Sequence, residues 1–294
     1  MDTKASQASV TNAKWWSSET VVVVTGANKG IGRALVGRLA KLGLTVVLTS
    51  RDSSKGHAAV ESLRSMGLAV VFAPLDVSDP ASIEAFVSWL KSTFGGLDIL
   101  VNNAGVSFNG IKENTVEHAE TVINTNFYGP KQLTEALLPL FRRSTSISRI
   151  LNMSSQLGLL SRLRNPSLKR VLQDEKNLSE DAIKGFANRF LEHVRDGTWR
   201  DRGWPKVWTD YAVSKLALNA YSRLLARRCE GRGLSVNCYC PGFTRTSMTG
   251  GEGVRTAEEA AAVAAGIVLL PPWEVPNGKF FVECSNTPAL YSSL

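Results

Sequence analysis

Tyr211 and Lys215 stand four residues apart in DYAVSK, residues 210 to 215. On a helix that spacing puts both side chains on one face, one turn apart. A phenol beside an ammonium is costly in a buried core, because each polar head needs a partner. On a solvated surface the pair is commonplace. If it faces a ligand, the ammonium favours the phenolate and draws the tyrosine down from its ordinary pKa of about 10. Such a tyrosine exchanges protons near working pH, as a general acid and base must.

A glycine-rich turn is the second chemical signal. TGANKGIG (25–32) joins an apolar β-branched run to an amphipathic segment. Gly26, Gly30 and Gly32 let the backbone turn tightly and approach a pyrophosphate, and a helix N-terminus behind them supplies N–H groups and positive dipole. The spacing is G-x-x-x-G-x-G rather than G-x-G-x-x-G. Its position at the opening of a βαβ unit gives it weight. The next apolar run ends at Ser50, Arg51 and Asp52. An acid there hydrogen-bonds the ribose hydroxyls of NAD, whereas an arginine pairs bidentately with the 2′-phosphate of NADP. Lys29, inside the turn, adds a second cation, so NADP is expected over NAD. The competing reading makes Asp52 the ribose acid and leaves Arg51 solvated.

Four more short motifs follow: NNAG (102–105), NTNFYG (124–129), NMSSQLG (152–158) and CPGFTRT (240–246). Each has a bland reading alone, as a turn or a capped helix end. All fall at the C-terminal end of an apolar run or on a helix facing that edge, where open α/β sheets bind ligands.

The elements that position them read as strands alternating with helices. TVVVVTG (20–26), TVVLTS (45–50), AVVFAPLD (69–76), LDILVNN (97–103), RILNMSS (149–155), LSVNCYC (234–240) and GKFFVEC (278–284) are near-continuous apolar runs. Ile31, Leu35, Leu39 and Leu42 recur at helical spacing. Asp79 followed by Pro80 reads as an N-cap with proline at the first helical position. This alternation predicts an α/β fold, a doubly wound parallel (Rossmann) sheet of about seven strands in a single domain, residues 19–294. One stretch, about 157–208, breaks the rhythm as an insertion before the helix of Tyr211. Within it SEDAIKGFANRFLEHVRDG (179–197) predicts an amphipathic helix, capped by Ser179 and stopped by Gly197, with Ile183, Phe186, Phe190 and Val194 as its buried stripe.

With its motifs in this order, the sequence from about Thr20 onward resembles the short-chain dehydrogenase/reductase family. The closer resemblance is to its carbonyl reductase branch, which includes animal NADPH carbonyl reductases and the plant menthol/neomenthol dehydrogenase and salutaridine reductase group. NKGIG, RD followed by KG, GGLDILVNNAG, GWP before the tyrosine and the long insertion carry it. The resemblance implies Tyr211 as acid/base, Lys215 as its partner, Ser155 rather than Ser154 as the serine, and Asn126 rather than Asn124 as the helix asparagine. It implies cofactor contacts from Gly26, Asn28, Lys29, Gly30, Ile31, Gly32, Arg51 and Lys55. Asp76 belongs at the adenine, and Val77, Asn103, Ala104, Gly105, Tyr211, Lys215, Pro241, Gly242, Thr244 and Thr246 complete the set. The implied activity is NADP(H)-dependent reduction of a ketone or aldehyde, or oxidation of the secondary alcohol. Lys215 and the positive nicotinamide of the oxidised cofactor would lower Tyr211, Ser155 would donate to the substrate oxygen, and Asn126 would help hold a water relay. C=C reduction on the same fold is one alternative, and a dinucleotide-binding regulator without turnover is another. The complete tetrad argues against the regulator.

A lipophilic cyclic or aromatic substrate is expected, with Phe108, Leu157, Leu159, Leu160 and Met248 near the mouth. A monomer is expected, because the insertion's helix would cover the face that other family members use for pairing. The net charge of +8 raises the question of nucleic acid. The basic residues are scattered and no aromatic-basic ribbon appears, so no nucleic-acid partner is expected. No apolar run reaches the ~18 residues of a membrane span. Residues 1–18 lack a secretory apolar segment and read as a flexible tail, with Trp15 and Trp16 as candidates to dock on the domain. Cys229, Cys238, Cys240 and Cys284 show no zinc-type spacing, so no metal is expected and free thiols in the cytoplasm fit.

Overall fold

β-Branched runs dictate a buried sheet, and the computed structural model carries it through residues 14–108, 115–142, 147–284 and 287–291. The strands are β1 (Val21–Val24), β2 (Thr45–Ser50), β3 (Val70–Pro74), β4 (Ile99–Asn102), β5 (Ser148–Met153), β6 (Leu234–Cys240) and β7 (Phe280–Cys284). They run parallel in the order 3-2-1-4-5-6-7, with the reversal between β1 and β4. All seven expected strands are present. An eighth, β8 (Thr287–Tyr291), pairs antiparallel with β7 at the edge. Its sequence, TPALY, carries a proline, which a sheet tolerates at its edge.

Alternate residues of each strand face opposite layers. Val22, Val24, Val46, Leu48 and Ile99 pack under α1 (Gly30–Lys41), α2 (Ser53–Arg64) and α9 (Ala257–Val268). Val21, Val23, Val47 and Leu100 pack under α3 (Pro80–Phe94), α4 (Val116–Ile123), α5 (Gly129–Leu137) and the long α8 (Thr209–Arg228). Asp79 accepts from the Ala81 N–H and Pro80 opens α3, as the sequence predicts. α4 and α5 are one rod interrupted by a π-helical turn over Asn124–Tyr128. Such turns are rare and gather at functional sites.

The insertion folds onto the body of the protein. After α6 (Pro166–Gln173), α7 (Glu180–Arg195) starts at Ser179, whose hydroxyl accepts the Ala182 N–H at 3.2 Å. The predicted stripe is its buried face: Ile183, Phe186, Phe190 and Val194 share a core with Val213, Leu216 and Ala220 of α8. Glu180 is 2.7 Å from both Lys131 on α5 and Arg228 on α8, and Arg195 is 2.6 Å from Glu120 on α4. Near the N-terminus both tryptophans pack against the domain: Trp15 Nε1 donates to the Leu269 carbonyl at 3.1 Å. The buried Arg149 guanidinium lies 3.7 Å from the Trp15 ring centroid. Residues 1–13 lie outside the described residues.

Candidate active site

The turn after β1 is built for close approach. Gly26 has φ 60°, and a Cβ there would lie 2.7 Å from Ala104 Cα. Only glycine meets both demands. A Cβ on Gly32 would lie 2.4 Å from Asn103 Nδ2. That amide donates to the Thr25 and Gly26 carbonyls at 2.8 and 3.2 Å, while Thr25 Oγ1 accepts the N–H groups of Asn103 and Ala104. TGANKGIG and NNAG are thereby held as one surface. α1 begins there with Lys29 as an N-cap that gives no side-chain cap, and with no acid in its first turn. Its leading N–H groups are left for an anion, the arrangement that suits a pyrophosphate. The donor set therefore fits a dinucleotide.

The expected residues converge on one cavity of about 320 Å³ at the C-terminal edge of the sheet. Gly26, Asn28, Lys29, Gly30, Ile31, Gly32, Arg51, Asp76, Val77, Asn103, Ala104, Gly105, Pro241, Gly242, Thr244 and Thr246 line it, together with Ser155, Tyr211 and Lys215. Lys55 does not. Asp52 caps α2 by accepting the Lys55 N–H at 3.0 Å, and the Lys55 ammonium turns back to the same carboxylate at 2.7 Å. These bonds, with one from Ser54, hold Asp52 well below the usual carboxylate range. Asp52 is thus occupied and outside the cavity lining, whereas Arg51 and Lys29 line it and make no ion pair among the described residues.

The catalytic candidates sit on three elements. Lys215 is buried on α8, its ammonium donating to the Met153 carbonyl at 2.8 Å and lying 5.3 Å from the Tyr211 ring centroid. Ser155 follows β5 and caps a short 3-10 turn by accepting the Leu157 N–H at 3.1 Å. Its neighbour Ser154 is buried and turned away, donating to Asn219 Oδ1 at 2.5 Å. Asn126 stands behind the cavity wall in the π-helical turn. It accepts the Val106 N–H at 2.8 Å and donates to the Val106 carbonyl at 2.9 Å and to Ser214 Oγ at 3.2 Å. Ser214 Oγ donates to the Tyr211 carbonyl at 2.7 Å, so Asn126 ties the segment after β4 to the first turn of α8.

In the ligand-free site the electrostatics are set by burial. Burial pushes Tyr211 above its ordinary value, with the neighbouring Cys240 adding to the rise. Burial also pushes Lys215 down to about 8. Desolvation is the largest cause at both groups, because both charged forms lose water; the lowering expected of Tyr211 belongs to the site with an oxidised nicotinamide bound. The phenol is therefore protonated at neutral pH.

The mouth differs from expectation. Met248 lines the cavity, but Phe108, Leu157, Leu159 and Leu160 do not. Phe108 stacks on His118 at 4.1 Å, Leu159 packs on Cys238, Cys240, Phe280 and Val282, and Leu160 joins the main core. Trp208, Phe243 and Val106 line it instead. Phe243 sits inside CPGFTRT and was within reach of the motif argument. Trp208 carries no local signal, because its backbone conformation places it there.

A profile described as short chain dehydrogenase matches residues 20–167, and one described as Enoyl-(Acyl carrier protein) reductase matches residues 198–269. The (+)-neomenthol dehydrogenase of Arabidopsis thaliana is 40% identical over 282 residues, covering 88% of this chain and 94% of the relative. The chain belongs to the short-chain dehydrogenase/reductase family. It is an oxidoreductase acting on carbonyl or alcohol groups, and the family's cofactor is a nicotinamide dinucleotide. Carbonyl reductase [NADPH] 1 of Mus musculus is 38% identical, covering 92% of this chain and 99% of the relative. The solved structure of salutaridine reductase from Papaver somniferum superposes with a TM-score of 0.83 at 37% identity, covering 90% of this chain and 100% of that one.

Proposed function

We propose that this enzyme reduces a ketone or aldehyde on a lipophilic molecule with NADPH, or oxidises the matching secondary alcohol with NADP. The carrying observation is that Tyr211, Ser155 and Lys215 share one cavity with Arg51 and Lys29, two cations that make no ion pair among the described residues. Those two cations suit a 2′-phosphate, and Asp52, tied up in its cap, leaves no competing ribose acid. Bound NADPH supplies the hydride for the carbonyl carbon. The chain's own residues handle the oxygen. Ser155 donates a hydrogen bond as negative charge develops there. Tyr211, kept protonated by burial, delivers its proton to the same atom. Lys215 stands close enough to steady the resulting phenolate. Asn126 is buried against Val106 and Ser214 and holds that wall of the site, where a water relay from Lys215 toward solvent would run. In the alcohol direction the phenol must first lose its proton, which the positive charge of an oxidised nicotinamide favours.

The reading is supported by the family and by relatives named for NADPH carbonyl reduction and neomenthol oxidation. Cys229, Cys238 and Cys240 are buried and form no disulfide among the described residues, which suits a reducing compartment such as the cytoplasm. No helix among the described residues is long and apolar enough to cross a membrane. Docking of α7 over α4 and α8 supports a monomer. The test is a panel of ketones, aldehydes, enones and alcohols with NADPH, NADH and their oxidised forms, followed by nicotinamide absorbance. Carbonyl turnover that favours NADPH is expected. Turnover of enones at the C=C bond alone, or no turnover, would refute the reading.

A further inference from the structure

Trp208 is the one non-glycine residue with positive φ among the described residues, at φ 48° and ψ 56°. A bulky side chain in the left-handed region is a true outlier, and such outliers persist only where the surroundings over-determine them. The surroundings here are explicit. Trp204 is wedged against Phe186 and Phe190 of the insertion, and its Nε1 donates to His193 Nδ1 at 3.0 Å. Thr209 Oγ1 donates to the Pro205 carbonyl at 2.8 Å, and the Trp208 carbonyl accepts the Ala212 N–H at 2.7 Å. The chain is pinned before and after Trp208, and the unusual conformation falls between. Its result is to hold the indole in the cavity lining, edge-on to Tyr211 at 6.2 Å and 85°. Phe243 and Met248, 44% and 38% exposed, line the same cavity. Large apolar side chains left that open at a site mouth suit an apolar ligand.

We infer that Trp208 is a specificity-determining residue: its ring is the wall on which a flat, ring-bearing carbonyl substrate lies while its oxygen reaches Ser155 and Tyr211. This rests on the carbonyl reductase reading above. An aromatic face is polarised so that another ring meets it edge-on or offset, which an open-chain substrate cannot match.

The test compares wild type with Trp208→Gly, Trp208→Ala and Trp208→Phe on 1-tetralone, 1-indanone and benzil against 2,3-butanedione and 2-butanone, with NADPH. Glycine is at home at φ 48°, so Trp208→Gly should match or exceed wild type in thermal midpoint and folds even if alanine does not. In the Gly variant the kcat/KM ratio of ring to open-chain substrates should fall about tenfold, through KM, while the NADPH KM stays put. Trp208→Phe, which keeps a ring, should restore most of it. Equal losses across the panel, or an unchanged ratio in the Gly variant, would overturn the assignment while leaving the reductase reading intact. A wild type inert on every carbonyl would overturn the reductase reading itself.

Discussion

Replacing Lys215 by methionine tests whether a buried ammonium is held at the site against the interest of the fold. Lys215 is 4% exposed, and its only hydrogen bond among the described residues is to the Met153 carbonyl. The fall from 10.5 to about 8 corresponds to about 3 kcal/mol of desolvation cost on the folded state. Below about pH 8 the group is charged in both folded and unfolded chains, and the folded state carries the whole cost. Between about pH 8 and 10.5 the folded state gives up its proton first. The unfolded chain then binds more protons, so stability rises with pH. Above that window the lysine is neutral in both states and the cost is gone.

Lys215→Met keeps the length of the side chain and removes the charge. It also removes the bond to the Met153 carbonyl, worth about 1.5–3 kcal/mol for a charged donor. At pH 7 the variant should therefore unfold at equal or higher urea than wild type, with turnover abolished. From pH 7 to 10.5 wild type should gain up to about 3 kcal/mol relative to the variant. Other groups that titrate in the window are common to both proteins and cancel in the difference. Two thiols of β6 face Lys215, and burial raises both, Cys238 to about 12 and Cys240 above its ordinary value. Urea unfolding of the ligand-free protein at several pH values measures this. A difference that does not change with pH, or a wild type that loses ground as pH rises, would refute the reasoning.

Tyr211→Phe should keep the fold and dinucleotide binding and lose most turnover, because it removes only the transferable proton; near-normal activity would contradict the assigned acid. Arg51→Ala should weaken NADPH relative to NADH by about 1.5–3 kcal/mol, the range for a hydrogen bond to a charged group, and equal losses for the two would mean that Arg51 does not read the 2′-phosphate. Light scattering at micromolar concentration should give a mass near 31.9 kDa, whereas twice or four times that mass would show that α7 leaves a pairing face free.

Much of the site was legible because its constraints are local. Gly26 is glycine for a reason confined to one turn and one neighbour, Ala104. Asp79–Pro80 and Ser179 announce their helices within three residues. What was not legible depends on tertiary placement. Leu159 lies four residues from Ser155, yet β6 and β7 bury it away from the cavity. The π-helical turn that presents Asn126 has no period of its own in NTNFYG. The rise of Tyr211 in the ligand-free site depends on how much water the finished site excludes, which no spacing encodes. Lys55 was matched by motif, but the cap at Asp52 claims it first.

α8 shows how these terms depend on one another. From Ala212 to Ala226 it is buried on nearly every side, with Arg223 half-buried, and so lacks the one-sided stripe of a surface helix. A helix buried all round needs cover on the face that the sheet does not supply. α7 supplies it with Ile183, Phe186 and Phe190, and the same Phe186 and Phe190 grip Trp204. The insertion thereby removes water from the flank of the helix that carries Lys215 and fixes the strand of chain that forces Trp208 into the cavity. Gly158 closes the opposite flank, where a Cβ would lie 2.7 Å from the Lys215 carbonyl carbon. The depressed lysine and the strained tryptophan are two consequences of one packing arrangement, and a change that loosens α7 from α8 should relax both together.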